Sequence, residues 1–333
     1  MGRIQSKIAA LVIGLASLTN AVQADCWDDC NDCCLEIEIG ADWLYWTPCI
    51  GDQHFAVEVG PPSEAFKTYY MCHDWDSGVR VWGGIKNIWN DFNGYLIYTY
   101  IKPQAEGVAN ASSPGAIYFS NPSPISLNTG DRVESNWELE YQTLDAILSY
   151  SIDVTRNPCL DIEAFSGLTW VSIEQNRKDS IFGISADEIV DSADWYRRVD
   201  VDAIGPTFGI NTSLRVCDCF NIFGTIQTSL VVGESKTNET ISVQEFEEDD
   251  QNYEWTAKDE CFCFPGLHLL AGVSYDLCVC DWTIGLRLGW EYVQWINAPS
   301  LPWYEQNSGA ARSATSAQNL TMQGIFVGFN AEF

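Results

Sequence analysis

The final fourteen residues, LTMQGIFVGFNAEF, restrict the fold more than any other stretch of this chain. Read with period two, Ile325, Val327, Phe329, Ala331 and Phe333 share one face. Gly324, Gly328, Asn330 and Glu332 share the other, where Phe326 is an apolar exception. A strand that is apolar outside and small or polar inside fits the last strand of a transmembrane barrel, with lipid against one face and water against the other. Such a strand is hard to place in a soluble core, which is the minority reading.

The same alternation recurs upstream. Strands are expected near Leu35 to Trp46, Gly78 to Lys86, Gly94 to Ile101, Trp137 to Asp153, Leu160 to Glu174, Val201 to Val216 and Phe220 to Gly233. Two more surround Leu267 to Leu277 and Trp282 to Tyr292, and the terminal strand makes ten. The alternation slips at Thr143 and Leu144, where a β-bulge is expected. In the ninth strand Trp282 and Trp290 lie on one face eight residues apart, roughly 26 Å at about 3.3 Å per residue. Aromatics at both ends of an apolar band resemble the two girdles of an outer-membrane barrel. Aromatic content agrees: Trp 14, Tyr 14 and Phe 15 stand beside only 17 Lys and Arg.

Connections after odd-numbered strands are long and those after even-numbered strands short, the asymmetry of barrels with short periplasmic turns and long extracellular loops. The reading is an all-β, antiparallel up-and-down transmembrane β-barrel of about ten strands. Twelve to sixteen is the alternative, should the stretches 115–127 and 240–255 hide more.

At the front, Arg3 and Lys7 precede an apolar run, Ile8 to Leu18, that ends in the small-residue site Val22-Gln23-Ala24. Residues 1–24 are expected to be a signal peptide, residues 25–34 a cysteine-rich periplasmic segment, and residues 35–333 the barrel. Later apolar stretches are too short for helical spans, which need about 20 residues. The net charge of −29 argues against a nucleic-acid partner, because phosphate binding needs clustered Lys and Arg.

Thirteen cysteines are many for such a barrel. Cys26, Cys30, Cys33, Cys34, Cys159, Cys217, Cys219, Cys278 and Cys280 map to the periplasmic rim. Cys49 and Cys72 bracket the first outer loop, and Cys261 and Cys263 are expected at the outer end of strand eight. An exported chain meets an oxidising compartment, so disulfides are the expectation, and the odd total points to an intermolecular link. Cys30-Asn31-Asp32-Cys33 has zinc-like spacing, but no histidine accompanies it. Neither a metal nor a cofactor is expected.

Inward positions carry Glu36, Glu38, Asp42, Arg80, Lys86, Asp145, Asp161, Glu163, Arg215, Asp276, Arg287 and Glu291. Such side chains line an aqueous lumen, and the acidic excess predicts weak cation preference. The rival is an internal ion-pair network filling a narrow barrel, since wide channels need 16 strands or more. An enzyme is not expected. His268 faces inward with Ser274 and Asp276, which lie six and eight residues away along an extended strand, beyond hydrogen-bonding reach.

The segments EIGADWLYWTP, WDSGVRVWGGIK, LRLGWEYVQW and GIFVGFNAEF together resemble the cysteine-rich, major-outer-membrane-protein-like porins of Chlamydia-related bacteria. That group is akin to the Legionella major outer membrane protein family. The resemblance implies a multi-pass, pore-forming protein of the outer membrane, in envelopes partly held by disulfide-linked proteins. The expected partners are outer-membrane lipid, the barrel-insertion machinery reading Phe333, and disulfide-linked envelope proteins or further copies of the chain. The alternative is a structural or adhesive barrel with little or no open pore.

Overall fold

The computed structural model describes residues 36–50, 54–58, 67–89, 92–111, 117–119, 131–152, 159–183, 190–217, 219–245, 251–279, 282–301, 303–307, 310–314 and 317–333. Ten antiparallel strands close into a ring: β1 (Glu36–Ile50), β2 (Asp76–Trp89), β3 (Phe92–Ile101), β4 (Arg132–Ile152), β5 (Leu160–Phe182), β6 (Val190–Cys217), β7 (Phe220–Glu245), β8 (Gln251–Val279), β9 (Trp282–Pro299) and β10 (Ala317–Glu332). Every strand pairs with its neighbours in sequence, and β10 closes on β1 with Ala41 opposite Phe329. Past Pro103 the third strand resumes as Gln104–Asn110, still paired with β4. Cys72–His73 pairs with that extension.

The outer ends depart from expectation. Strands β5 to β8 run well beyond the anticipated limits, and residues 240–245 and 251–255 extend the β7–β8 hairpin rather than forming new strands. Within 115–127, Ile117–Phe119 pairs with His54–Glu58 in a small separate sheet completed by Lys67–Tyr70. Because β8 starts at Gln251, Cys261 and Cys263 lie part-way along it and not at its outer end. Opposite the Gly233–Glu234 step, β8 carries one extra residue, Cys261, a bulge the sequence pattern did not mark.

No bulge interrupts β4 at Thr143–Leu144: its pairing with β3 and β5 runs through without a shift. What changes there is polarity. Below the step Leu148 and Tyr150 face out, while Asp145 and Ser149 are buried inside. Above it Val133, Trp137, Leu139 and Tyr141 are buried inside, and outward positions hold Glu134, Asn136, Glu138 and Glu140. On β6 the same inversion falls between Ala203 and Ile204. Ile204, Phe208, Ile210 and Leu214 are exposed below it, whereas Trp195, Val199, Val201 and Ala203 are buried above it. The lower half is built for lipid outside and water inside. The upper half is built like a soluble protein, dry inside and wet outside.

The upper interior is one packed core. Trp46, Trp137, Trp195, Phe264, Leu44, Leu139, Ile173, Ile181 and Ile241 are each at most 2% exposed. Burying side chains of this size stabilises the fold by about 1.5–3 kcal/mol each. Phe55 and Ala56 of the small outer sheet join this core, and Arg177 on β5 donates to the His54 carbonyl at 3.3 Å. This sheet is thereby drawn into the barrel mouth.

Candidate functional site: the barrel lumen

Phe326, the apolar exception on β10, faces in and is fully buried. It lies opposite Gly289 on β9, where a Cβ would fall 2.6 Å from its ring. Only glycine leaves room for the ring, and Trp82 over Gly40 repeats the device on β1 and β2. The Arg287 guanidinium then sits among three rings, 4.7 Å from Trp82, 4.8 Å from Phe223 and 5.7 Å from Phe326. Desolvated cation–π contacts of this kind contribute up to about 2 kcal/mol.

Beneath the packed core a charged layer crosses the barrel. Arg80 donates to Asp42 at 3.4 Å, to Thr99 at 3.3 Å and, more closely, to Glu291. Glu291 also contacts His268 Nε2, and Nδ1 of that ring lies 3.3 Å from Gln227. Asp145 accepts from Thr169 Oγ1 at 2.5 Å. The partners of His268 therefore come from adjacent strands, with Gln227 directly opposite it. Ser274 and Asp276, on its own strand, play no part: Asn221 donates to both, at 3.3 Å and 2.5 Å. Ion pairs at this depth demand a full set of donors. Two buried carboxylate oxygens, Asp42 Oδ1 and Glu291 Oε2, have none.

A chamber of about 930 Å³ adjoins this layer and reaches Trp46, Tyr141 and Trp295 at the foot of the packed core. Of the inward residues expected from sequence, Glu36, Glu38, Asp42, Arg80, Lys86, Asp145, Asp161, Glu163, Asp276, Arg287 and Glu291 all line it. Arg215 does not: it is exposed at the periplasmic rim, outside the chamber lining. Lys86 is held by Glu38 at 3.3 Å and Glu332 at 2.6 Å. Glu163 accepts from Asn93 at 2.6 Å and Asn211 at 3.5 Å. The aromatic and amide lining (Trp82, Tyr95, Phe165, Phe223, Asn93) was missed from sequence, although each follows from inward parity on its strand.

A second ion cluster is embedded in the upper core. Asp179 on β5 accepts from Arg177 Nε at 2.9 Å, from Ser135 and from Arg197, whose guanidinium lies 4.1 Å from the Trp195 ring. Burial alone would push the Asp179 carboxyl up, but the two guanidiniums beside it hold it below the ordinary range. Burial lowers Arg177 to about 10, against the pull of Asp179.

Cys49, Cys72, Cys217, Cys219 and Cys263 carry free thiols in the structure. Cys159 is exposed at the inner rim, and its carbonyl accepts from the Arg215 amide at 2.7 Å, bringing that turn beside Cys217. Cys26, Cys30, Cys33, Cys34 and Cys280, with the whole of residues 1–35, lie outside the described residues, as do the side chains of Cys261 and Cys278.

The sequence model described as Legionella pneumophila major outer membrane protein precursor matches residues 34–333. The chain belongs to this family of outer-membrane proteins. No curated protein sequence matches it. Among solved structures it is similar to the outer membrane protease OmpT from Escherichia coli (10% identity, 91% of this chain and 99% of that one, TM-score 0.42). It is similar also to a major outer membrane protein from Thermus thermophilus (7% identity, 90% and 100%, TM-score 0.34). A third is the toluene transporter TodX of Pseudomonas putida (10% identity, 90% and 89%, TM-score 0.32). The family places this barrel in the outer membrane, and the exposed apolar side chains of β6, β7 and β9 are its lipid-facing band.

Proposed function

We propose that this family member is an outer-membrane barrel closed toward the cell exterior at rest, with an aqueous chamber open only to the periplasm, serving the envelope as a structural element. One observation carries the reading. Trp46, Trp137, Trp195 and Phe264 point into the barrel yet are at most 2% exposed, whereas residues along a water-filled channel keep a wetted face. Exposed cysteines at the inner rim, Cys159 and Cys217, suit disulfide linkage to a periplasmic partner or a second copy. The test is a planar-bilayer recording on refolded protein whose heat-modifiable gel migration verifies the barrel. The expected result is no steady conductance above the bare bilayer; steady open channels would overturn the closed barrel.

A second reading, passive diffusion of small solutes with weak cation preference, draws on the acidic lining of the chamber. Steady, cation-selective conductance in that recording would favour it. For the linkage, non-reducing gels are expected to show a higher-mass species that collapses on reduction.

A further inference from the structure

We infer that the periplasm-facing chamber is a binding site for an organic polycation, a small molecule carrying two or more ammonium or guanidinium groups on an apolar stem. The inference rests on the closed-barrel reading only in that the chamber is treated as a dead end. Its lining holds nine carboxylates (Glu36, Glu38, Asp42, Asp145, Asp161, Glu163, Asp276, Glu291 and Glu332) against Arg80, Lys86 and Arg287. The bases present are already engaged. Lys86 is bound by Glu38 and Glu332, Arg80 by Asp42 and Glu291, and Arg287 by its three rings. Of the remaining acids, Asp145, Glu163 and Asp276 accept their described hydrogen bonds from neutral donors, and acids outnumber the Lys and Arg of the lining nine to three, so the chamber carries net negative charge in a confined space, which concentrates cations.

A second, independent observation lies at the inner end. Asp42 and Glu291 are at most 1% exposed, line the chamber, and each keeps one oxygen without a donor. A buried acceptor left empty costs about 1–3 kcal/mol, and an N–H-bearing ligand relieves it once the carboxylate turns that oxygen toward the chamber. The form of the acidic set then selects the ligand. Among the described residues no three acidic, His or Cys side chains converge as metal ligands do. The carboxylates are instead spread in depth, from Glu36 at the rim to Asp42 six residues further along β1, roughly 20 Å of strand. Dispersed acceptors match separated charges on one chain better than a single ion. Tyr95, a ring of the lining that Arg287 does not occupy, supplies a face for the methylene stem or a cationic end. The volume of about 930 Å³ lies within the roughly 300–1,000 Å³ range of small-molecule sites.

The test is calorimetric titration of the refolded full chain in detergent with spermidine, beside triethylene glycol as a neutral analogue and tricarballylate as an anion. Spermidine is expected to bind saturably, with affinity falling as salt rises, and the other two not at all. The double variant Asp161→Asn/Glu163→Gln at the chamber mouth, outside the central ion layer, is expected to weaken spermidine at least tenfold while keeping heat-modifiable migration. Equal heats from the neutral analogue, or an unchanged affinity in the double variant, would overturn the site. Conductance is read separately, so an open channel that still binds spermidine sinks the closed barrel and spares the site. A silent bilayer with no spermidine binding does the reverse.

Discussion

Phe333 stacks on Trp282 with ring centroids 4.8 Å apart and planes inclined by 24°, while its main chain exchanges hydrogen bonds of 2.8 and 3.0 Å with Ile37. The last residue thus ties β9 through its ring and β1 through its backbone, on both sides of the closing strand. Phe333→Ala keeps the backbone bonds and forfeits the stack, worth about 0.5–1.5 kcal/mol; removing the residue forfeits both. The expected outcome is slower, less complete refolding into lipid for Phe333→Ala and a larger loss for the deletion, read from the fraction of heat-modifiable protein. Normal insertion without Phe333 would remove its proposed role in assembly.

Asp179 is the linchpin of the upper core. Asp179→Asn preserves volume but leaves Arg177 and Arg197 buried together without this shared counter-charge, and breaking such a cluster costs about 3–5 kcal/mol. Lys178→Ala, which breaks an exposed pair with Asp194, is expected to cost under about 1 kcal/mol. Urea titration followed by tryptophan emission separates the two. The pH dependence has a definite sign. The folded Asp179 carboxyl is held below its unfolded value, so its stabilisation is full above about pH 4 and disappears as pH falls through the folded value. Equal midpoints for the two variants would refute the assignment.

The membrane half was legible from sequence because lipid outside and water inside write an alternation that survives in a single strand. Ile204 to Val216 and Trp282 to Tyr292 carry their apolar residues on the outward face that the alternation indicates, and Arg287 and Glu291 line the chamber whereas Arg215 does not. Arg215 failed because parity fixes a side chain's face but not its height, and this one sits at the rim. The upper half was hidden for a related reason. There the outward face meets water, so Asp194, Arg198 and Asp200 alternate with Trp195, Val199 and Val201 in opposite phase. The apolar-outward pattern ends where the phase inverts, and at Thr143–Leu144 the inversion has the same signature in sequence as a bulge. The contacts of His268 were illegible along its own strand, since Gln227 and Glu291 reach it through pairing register.

His73, on the short strand paired with Glu106 and Ala105, meets the Trp137 ring edge-on at 4.8 Å. Both its ring nitrogens are buried without a partner. Burial lowers its pKa, with the neighbouring Asp74 pulling weakly the other way. A histidine held neutral in this way favours folding above its unfolded value near 6.5, and that contribution is lost as pH falls through the lowered folded value. The outer loop is therefore expected to loosen at mildly acidic pH, seen as faster amide exchange around residues 71–75. His73→Phe keeps the ring contact and should exchange at a pH-independent protection level there. A variant as acid-sensitive as the parent would exclude His73 as the cause.

Closure of the lumen gives the most direct test of how the two halves divide their work. Trp46 lies nearest the charged layer, its ring 5.9 Å from the Arg80 guanidinium, and Trp295 Nε1 donates to Tyr141 at 3.1 Å within the same region. Trp46→Ala removes a wholly buried ring where core and chamber meet, at a cost of about 3–5 kcal/mol. The resulting space adjoins Asp42 and Arg80, polar enough to admit water. Trp46→Ala/Trp137→Ala extends that space outward through the core. Conductance is expected to be absent in the parent, marginal in the single variant and stepwise in the double variant, with cations favoured because the chamber below is acidic. The double variant must first show heat-modifiable migration, so that a leak from an unfolded chain is not mistaken for a pore. A folded double variant that stays silent would mean the packed upper core is not what closes this barrel.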